Sequence, residues 1–378
     1  MNTSRPSRVD RARLGVCRSA DAVGPSWRGG VVSIGNFDGV HRGHRAILDR
    51  CRELAAADGA AVLAITFDAH PATLLAPERV PPQLATLDER LELLAEGGAD
   101  GVVVLPLDRH LLATPAEEFV RRLLVERLAI RAIVEGPDFG FGRGRGGNLS
   151  TLRTMAAEGG FRVETVEPIR VGLPDTDESV VVSSSGIRGL LSTGRIEAAA
   201  ACLGRNYILG GRVVSGAGVG RTLGFPTLNL EPAGQLVPGD GVYAGRARFA
   251  SADRWVAAAI SIGCRPTFGG ETRVVEAFLL NGESTASARL ITRDQVDGTV
   301  SSSGAEKKIT SSIRGDTSEF SGGSRSPEVA ALNSGVRLEF VARLRDQQRF
   351  DSADALASQI ARDVKRVREL VDQEREGS

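Results

Sequence analysis

At 378 residues, 42 % apolar and 25 % charged, the chain is too long for one ordinary core and suits two domains of roughly 150 to 200 residues each. A formal net charge of +0 removes any overall field that would favour nucleic acid or an anionic membrane. Four scattered cysteines without a CxxC pair point to a reducing cytoplasm, and no apolar run reaches the ~18 residues needed to span a bilayer.

Residues 1–29 are rich in Arg, Ser and Gly without an apolar segment, and read as a disordered tail. From Val31 the pattern becomes regular. Val31 to Ile34 reads as a buried strand, and Gly43 to Ala57 as a helix with Ile47, Leu48, Cys51 and Leu54 on one face. Strands at Ala61–Phe67, Gly101–Leu105 and Ile130–Val134 alternate with helices at Leu87–Ala95 and from Thr114 to about Leu128. Thr114-Pro115-Ala116-Glu117 carries the signature of a capping box. A further helix, a strand near Phe161 to Val166 and short helices lead to Cys202. This alternation predicts an α/β domain, residues 30–203, with a doubly wound parallel sheet.

The character then changes. Tyr207–Val214, Gly241–Phe249, Trp255–Ile262, Val274–Leu280 and Val336–Ala342 are strand-like and separated by turns. They predict an antiparallel β-barrel over residues 204–378, closed by an amphipathic helix from about Ser352 to Val371. Residues 282–335, rich in Ser, Thr and Gly, read as a disordered insert.

Gly35-Asn36-Phe37-Asp38-Gly39-Val40-His41-Arg42-Gly43-His44 lies between the first strand and the first helix. In an open parallel sheet ligands bind there, at a helix N-terminus. Gly35 and Gly39 allow tight geometry, Gly43 admits a phosphate close to the main chain, and His41 and His44 share one face of the opening turn. The expectation is a polyphosphate site; a structural turn or a two-histidine metal site without an evident third ligand is the alternative.

This string resembles the nucleotidyltransferases with an HxGH signature, and more closely the bifunctional riboflavin kinase/FMN adenylyltransferases. Phe67-Asp68-Ala69-His70-Pro71, Gly136-Pro137-Asp138-Phe139-Gly140-Phe141-Gly142 and Ser183-Ser184-Ser185-Gly186-Ile187-Arg188 are similar to further segments of that family, with Ser185 in a Thr position. The resemblance implies a Rossmann-like adenylyltransferase domain in which His41, His44 and Arg188 act on the ATP phosphates. Ser185 would hold phosphate, while Asn36, Phe37, Asp38, His70, Asp138 and Phe139 would line the nucleotide or flavin pocket.

In the second half, Gly218, Gly220, Arg221, Gly224 and Pro226 precede Thr227-Leu228-Asn229, a stretch similar to the riboflavin kinase P-T-x-N motif. By that resemblance the glycine-rich loop binds ATP, Thr227 and Asn229 bind Mg²⁺, and Glu276 is the catalytic base. A solvent-facing Glu on an alternating strand is the plain alternative. The family's D-x-Y-G segment is missing after Asn281, where the Ser-rich stretch begins. Lengthening a turn from about ten residues to about fifty costs only about 1.5 kcal/mol of closure entropy, so the barrel should tolerate it.

The function expected is ATP-dependent phosphorylation of riboflavin to FMN, followed by adenylylation of FMN to FAD. Substrates would be riboflavin, FMN and ATP, with Mg²⁺, and with neither nucleic acid nor membrane as partner. The rivals are a monofunctional adenylyltransferase with a degenerate barrel, transfer to a different phosphate acceptor, and a non-catalytic flavin- or nucleotide-binding module.

Overall fold

The computed structural model describes residues 14–215, 226–267, 270–280 and 332–376. It divides into two compact units at Leu209/Gly210, with the short stretch Gly234–Gly239 returning to the first. That division lies a few residues beyond the Gly204 boundary expected from the sequence. Tyr207 and Gln235 explain the difference: the Tyr207 hydroxyl donates to the Leu236 carbonyl at 2.7 Å, and the Gln235 amide donates to the carbonyls of Leu84 and Ile208.

The first unit is built on strands β1 (Gly15–Cys17), β2 (Val31–Ile34), β3 (Val62–Phe67), β4 (Gly101–Leu105), β5 (Ala132–Glu135) and β6 (Arg162–Thr165). They lie in the order β1–β4–β3–β2–β5–β6, every pair parallel. The chain winds from β2 through β3 to β4 on one side and then returns to β5 and β6 on the other. The switch point therefore falls between β2 and β5, where doubly wound sheets bind ligands.

Helices α1 (Arg42–Asp58), α2 (Leu87–Glu96) and α3 (Leu149–Gly159) cover the sheet. The strands are apolar throughout because both faces are covered. Alternate residues supply two cores. Val31, Val62, Ala64 and Val102 pack with Leu48, Cys51 and Leu54 of α1, while Val32, Ile34, Leu63 and Ile65 pack with Leu123, Leu124 and Leu152. Each fully buried aliphatic side chain contributes roughly 1.5–3 kcal/mol. Helix α1 stops at Gly59, whose left-handed backbone (φ 60°) returns its N–H to the Ala55 carbonyl.

Two local expectations fail. The tail reading does not hold for residues 14–29: β1 pairs with β4 at the sheet edge, and Trp27 packs against the core. A strand of three residues is too short to show periodicity in the sequence. Thr114 is not a cap either. Its hydroxyl donates to the His110 carbonyl at 2.8 Å, closing the preceding turn, and the next helix begins at Ala116 without a side-chain cap. Capping boxes occur elsewhere in this unit, at Thr86 with Glu89 and at Asn148 with Thr151.

The second unit is a closed antiparallel barrel of β7 (Tyr207–Val214), β8 (Thr227–Pro232), β9 (Gly241–Phe249), β10 (Val256–Thr267), β11 (Gly270–Leu279) and β12 (Gly335–Arg345). Around the barrel the order is β7–β8–β11–β10–β9–β12. Strand β8, read from the sequence only as a motif, is a full member of it. Val364, Val367, Leu370 and Val371 of the closing helix (Ala353–Glu376) pack on Ala244, Ala257, Phe278 and Leu280. Buried Arg246 ties helix to barrel, donating to Glu339 on β12 and to Glu374 on the helix.

Candidate active site

Residues 35–41 leave the C-terminal end of β2 at the switch point and deliver the chain to α1. The loop is tightly wound. Phe37 (φ 47°), Gly39 (φ 78°) and Val40 (φ 37°) all take left-handed backbone, which disfavours side chains and must be held from outside. At Gly39 a Cβ would also lie 3.0 Å from Leu84, so glycine is needed twice over. Asp38 supplies much of the restraint: its buried carboxylate accepts the N–H groups of Leu84 and Ala85 and the Arg188 guanidinium at 2.5 Å. Its carbonyl accepts the Ser184 hydroxyl at 3.0 Å.

His41 is the N-cap of α1. Its Nδ1 accepts the His44 backbone N–H at 3.4 Å, so in the neutral ring the proton sits on Nε2. The His44 amide is thus capped within the turn. The two imidazoles stack with centroids 3.7 Å apart at 14°, and Phe37 meets the His44 ring edge-on at 5.2 Å. Burial, then the charge of Arg205, holds His41 down to about 4; burial, then His41, Arg90 and Arg205, holds His44 well below the usual imidazole range. Both rings are neutral hydrogen-bonding groups at pH 7.

Gly43 leaves room beside them: a Cβ there would lie 3.2 Å from the His41 ring and 3.8 Å from the Val182 carbonyl, which brings the Ser183–Arg188 segment alongside. That segment opens α4 (Ser184–Ser192), where Ser183 caps the Gly186 N–H and Ser185 is exposed in the first turn. His70 accepts the Ala72 N–H at Nδ1, and burial with the nearby charge of Arg188 lowers its basicity. Asn36 Oδ1, His44 Nδ1, Arg45 Nε, Arg90 Nε and Arg205 NH1 are buried and have no hydrogen-bond partner among the described residues. The three guanidinium nitrogens among them are donors, which fit an anionic ligand, while Asn36 Oδ1 is an acceptor.

Asp138 and Phe139 follow β5 on the other side of the switch point. Asp138 is exposed, with its carbonyl accepting from Arg145 at 3.1 Å, and the Phe139 ring stacks on core Phe141 at 5.3 Å. Arg90, Arg205 and Glu135 were not picked out from the sequence. Arg90 is buried on α2 and donates to Thr66 and the Phe67 carbonyl, yet D-E-R-L reads as a solvated helical turn. Glu135 ends β5, and its carboxyl accepts the Ile34 N–H at 2.6 Å across the switch point.

Burial raises the Glu135 carboxyl well above the usual range. The folded chain therefore holds this proton more tightly than the unfolded one, and stability falls as pH rises above the unfolded glutamate value of about 4.3. Glu135→Gln keeps an acceptor for Ile34 without the ionisable proton. Its stability relative to the parent should rise between pH 5 and pH 8 in urea unfolding, and a pH-independent difference would contradict this assignment.

In the barrel, Asn229 on β8 lies directly opposite Glu276 on β11, which in turn lies opposite Ser261 on β10. Thr227 is two residues from Asn229 on the same face. Leu228, Leu230, Val275 and Ala277 take the opposite, buried positions. Gln347 borders the row, donating to the Ser261 hydroxyl at 2.9 Å. Pro226 immediately precedes β8; Gly218, Gly220, Arg221 and Gly224 lie outside the described residues. No cluster of three or more His, Cys, Asp or Glu suited to a metal ion occurs among the described residues, and no helix there is long and apolar enough to cross a membrane.

Comparison with known proteins bears on both halves. A family model described as FAD synthetase matches residues 24–185, and one described as riboflavin kinase matches 203–297 and 325–371. The unmatched interval, 298–324, is narrower than the 282–335 stretch marked out by composition. A bifunctional riboflavin kinase/FMN adenylyltransferase of Escherichia coli K12 is 32 % identical over 90 % of this chain and 93 % of its own length. One from Pseudomonas fluorescens is 36 % identical over 68 % of this chain and 80 % of its own. A crystal structure named as a macrolide-efflux protein from Streptococcus pneumoniae superposes with a TM-score of 0.71 at 23 % identity, covering 94 % of this chain and 99 % of that one. At that identity the likeness speaks to fold alone.

Proposed function

The chain belongs to the bifunctional riboflavin kinase/FMN adenylyltransferase family, and from that premise we propose which residues perform each step. The two activities are phosphorylation of riboflavin to FMN and adenylylation of FMN to FAD, with ATP as co-substrate of both.

Adenylyl transfer belongs to the first unit. The observation that carries this assignment is the stacked neutral pair His41–His44 at the head of α1, whose basicity the charge of Arg205 lowers at both rings and that of Arg90 at His44. An oxygen of the FMN phosphate attacks the α-phosphorus of ATP; a new P–O bond forms as the bond to the β-phosphate oxygen breaks, and pyrophosphate leaves with the electron pair. Neither reactant needs deprotonating, so alignment and charge stabilisation supply the acceleration. His41 Nε2–H and the His44 ring donate to the phosphates, Ser185 and Arg188 hold the β- and γ-phosphates, and Gly43 admits them to the backbone. Gly35, Gly39 and Asp38 shape the loop, and His70 completes the pocket.

Phosphorylation belongs to the barrel. Glu276 takes the proton from the riboflavin 5′-hydroxyl, whose oxygen forms a bond to the γ-phosphorus as ADP departs. The Thr227 hydroxyl and the Asn229 amide oxygen, on one face of β8, are hard oxygen donors that fit a divalent cation shared with nucleotide phosphates. Thr227 and Asn229 would hold Mg²⁺, which when bound supplies charge neutralisation on the nucleotide.

A two-substrate assay tests the division. The full chain should form FMN from riboflavin and FAD from FMN, each requiring ATP and each lost to EDTA and restored by Mg²⁺. Deleting residues 298–324 should leave both rates intact. FAD formation without FMN formation would identify a degenerate barrel, and neither product would sink the enzymatic reading.

A further inference from the structure

We propose that Arg205 is a positioning residue for adenylyl transfer, clamping the Gly39 carbonyl and thereby fixing the loop that presents His41 and His44. The inference rests on the reading of that histidine pair given above.

The placement follows from a helix terminator. Helix α5 (Ile196–Leu203) stops at Gly204, whose left-handed backbone (φ 75°) sends its N–H back to the Ala200 carbonyl at 2.8 Å. A side chain at 204 would crowd Arg42, with its Cβ 3.2 Å from Arg42 Cγ. The reversal carries Arg205 to the loop, where its NH2 donates to the Gly39 carbonyl at 2.7 Å. Leu203 reaches the same residue, 3.4 Å from a Cβ built at Gly39.

The loop needs such a restraint. Two non-glycine residues in left-handed conformations, Phe37 and Val40, are strained and persist only when over-determined by their surroundings. Leu84, Ala85 and Arg188 hold Asp38 on one side of Gly39, and Ser184 holds the Asp38 carbonyl. Arg205 secures the next carbonyl, at the step into Val40 and His41. Its second nitrogen, NH1, is buried with no partner among the described residues. Burial, with the charge of Arg45, lowers its basicity to about 10, so it stays cationic at neutral pH and helps keep both imidazoles neutral. Lysine would supply the charge without the planar fork that can hold one acceptor and still present a second donor.

The position is unexpected from sequence bookkeeping. Arg205 lies beyond the FAD synthetase match, which ends at 185, and inside the riboflavin kinase match, which begins at 203. Its side chain nevertheless serves the first unit. Loss of Arg205 should therefore damage the reaction of the other family half.

Full-length R205A, R205K, H44A and the R205A/H44A double variant are assayed for both reactions. R205A should lower kcat for FAD formation by about tenfold or more, with KM for ATP and FMN within about threefold, since misplacement costs rate more than binding. Riboflavin phosphorylation should stay at the parental rate, R205K should recover part of the loss, and the double variant should be no more than about twofold slower than the slower single variant, as for residues acting as a unit. R205A with parental FAD formation beside an impaired H44A overturns this inference alone. Parental activity in H44A overturns the site reading and this inference with it. If R205A loses both reactions together with its unfolding transition, R205K decides: a parental kcat refutes the positioning role, and a reduced kcat with a parental unfolding midpoint supports it.

Discussion

His44→Ala is expected to slow FAD formation from FMN and ATP by about tenfold or more, a loss of at least ~1.4 kcal/mol of transition-state stabilisation. Removing a single pre-aligned donor to a developing oxyanion costs about 10²–10³ in kcat where such donors have been deleted from other enzymes, so the effect has room to be larger. The His44 ring stacks on His41 and meets the edge of core Phe37, and its loss leaves the aliphatic packing between α1 and the sheet in place, so the fold should survive. Product analysis by chromatography gives the rate, and thermal unfolding checks the fold. A variant that makes FAD at nearly the parental rate would remove the imidazole pair from the mechanism.

Glu276→Gln should reduce FMN formation by about 10²–10⁴, the span expected for loss of a general base. Glutamine keeps the length of the side chain and the pairing of β11 with Asn229 and Ser261, so the change isolates the proton-accepting carboxylate. FAD formation from supplied FMN provides the internal control and should not change. Undiminished riboflavin phosphorylation would return Glu276 to the role of an ordinary residue on an alternating strand.

Much of this was legible in the chain because the relevant physics is local. Strands covered on both faces announce themselves as apolar runs, and the glycine-and-histidine string could be placed at a strand-to-helix junction before its geometry was known. What stayed hidden depends on distant partners. Arg205 follows a glycine helix stop and looks like any surface arginine; only the folded loop gives it the Gly39 carbonyl. Glu135 looks like a polar residue ending a strand until β2 lies beside it and offers the Ile34 amide. The Thr114 cap failed because two acceptable local bonds competed, and the preceding turn won. Phe139 satisfied a motif and a core at once, and its ring stacks with Phe141.

The register of the barrel strands sets a rule about chain length. Side chains alternate along β11, so one residue gained or lost before Glu276 would turn the carboxylate into the packed layer and push Val275 or Ala277 out to its place. The strand works like a reading frame, in which a shift of one is ruinous and a shift of two brings the wrong residue to the right face. The interval 298–324, which the riboflavin kinase model passes over, lies after β11 in the chain, so a change of length there leaves the frame of β11 as it is.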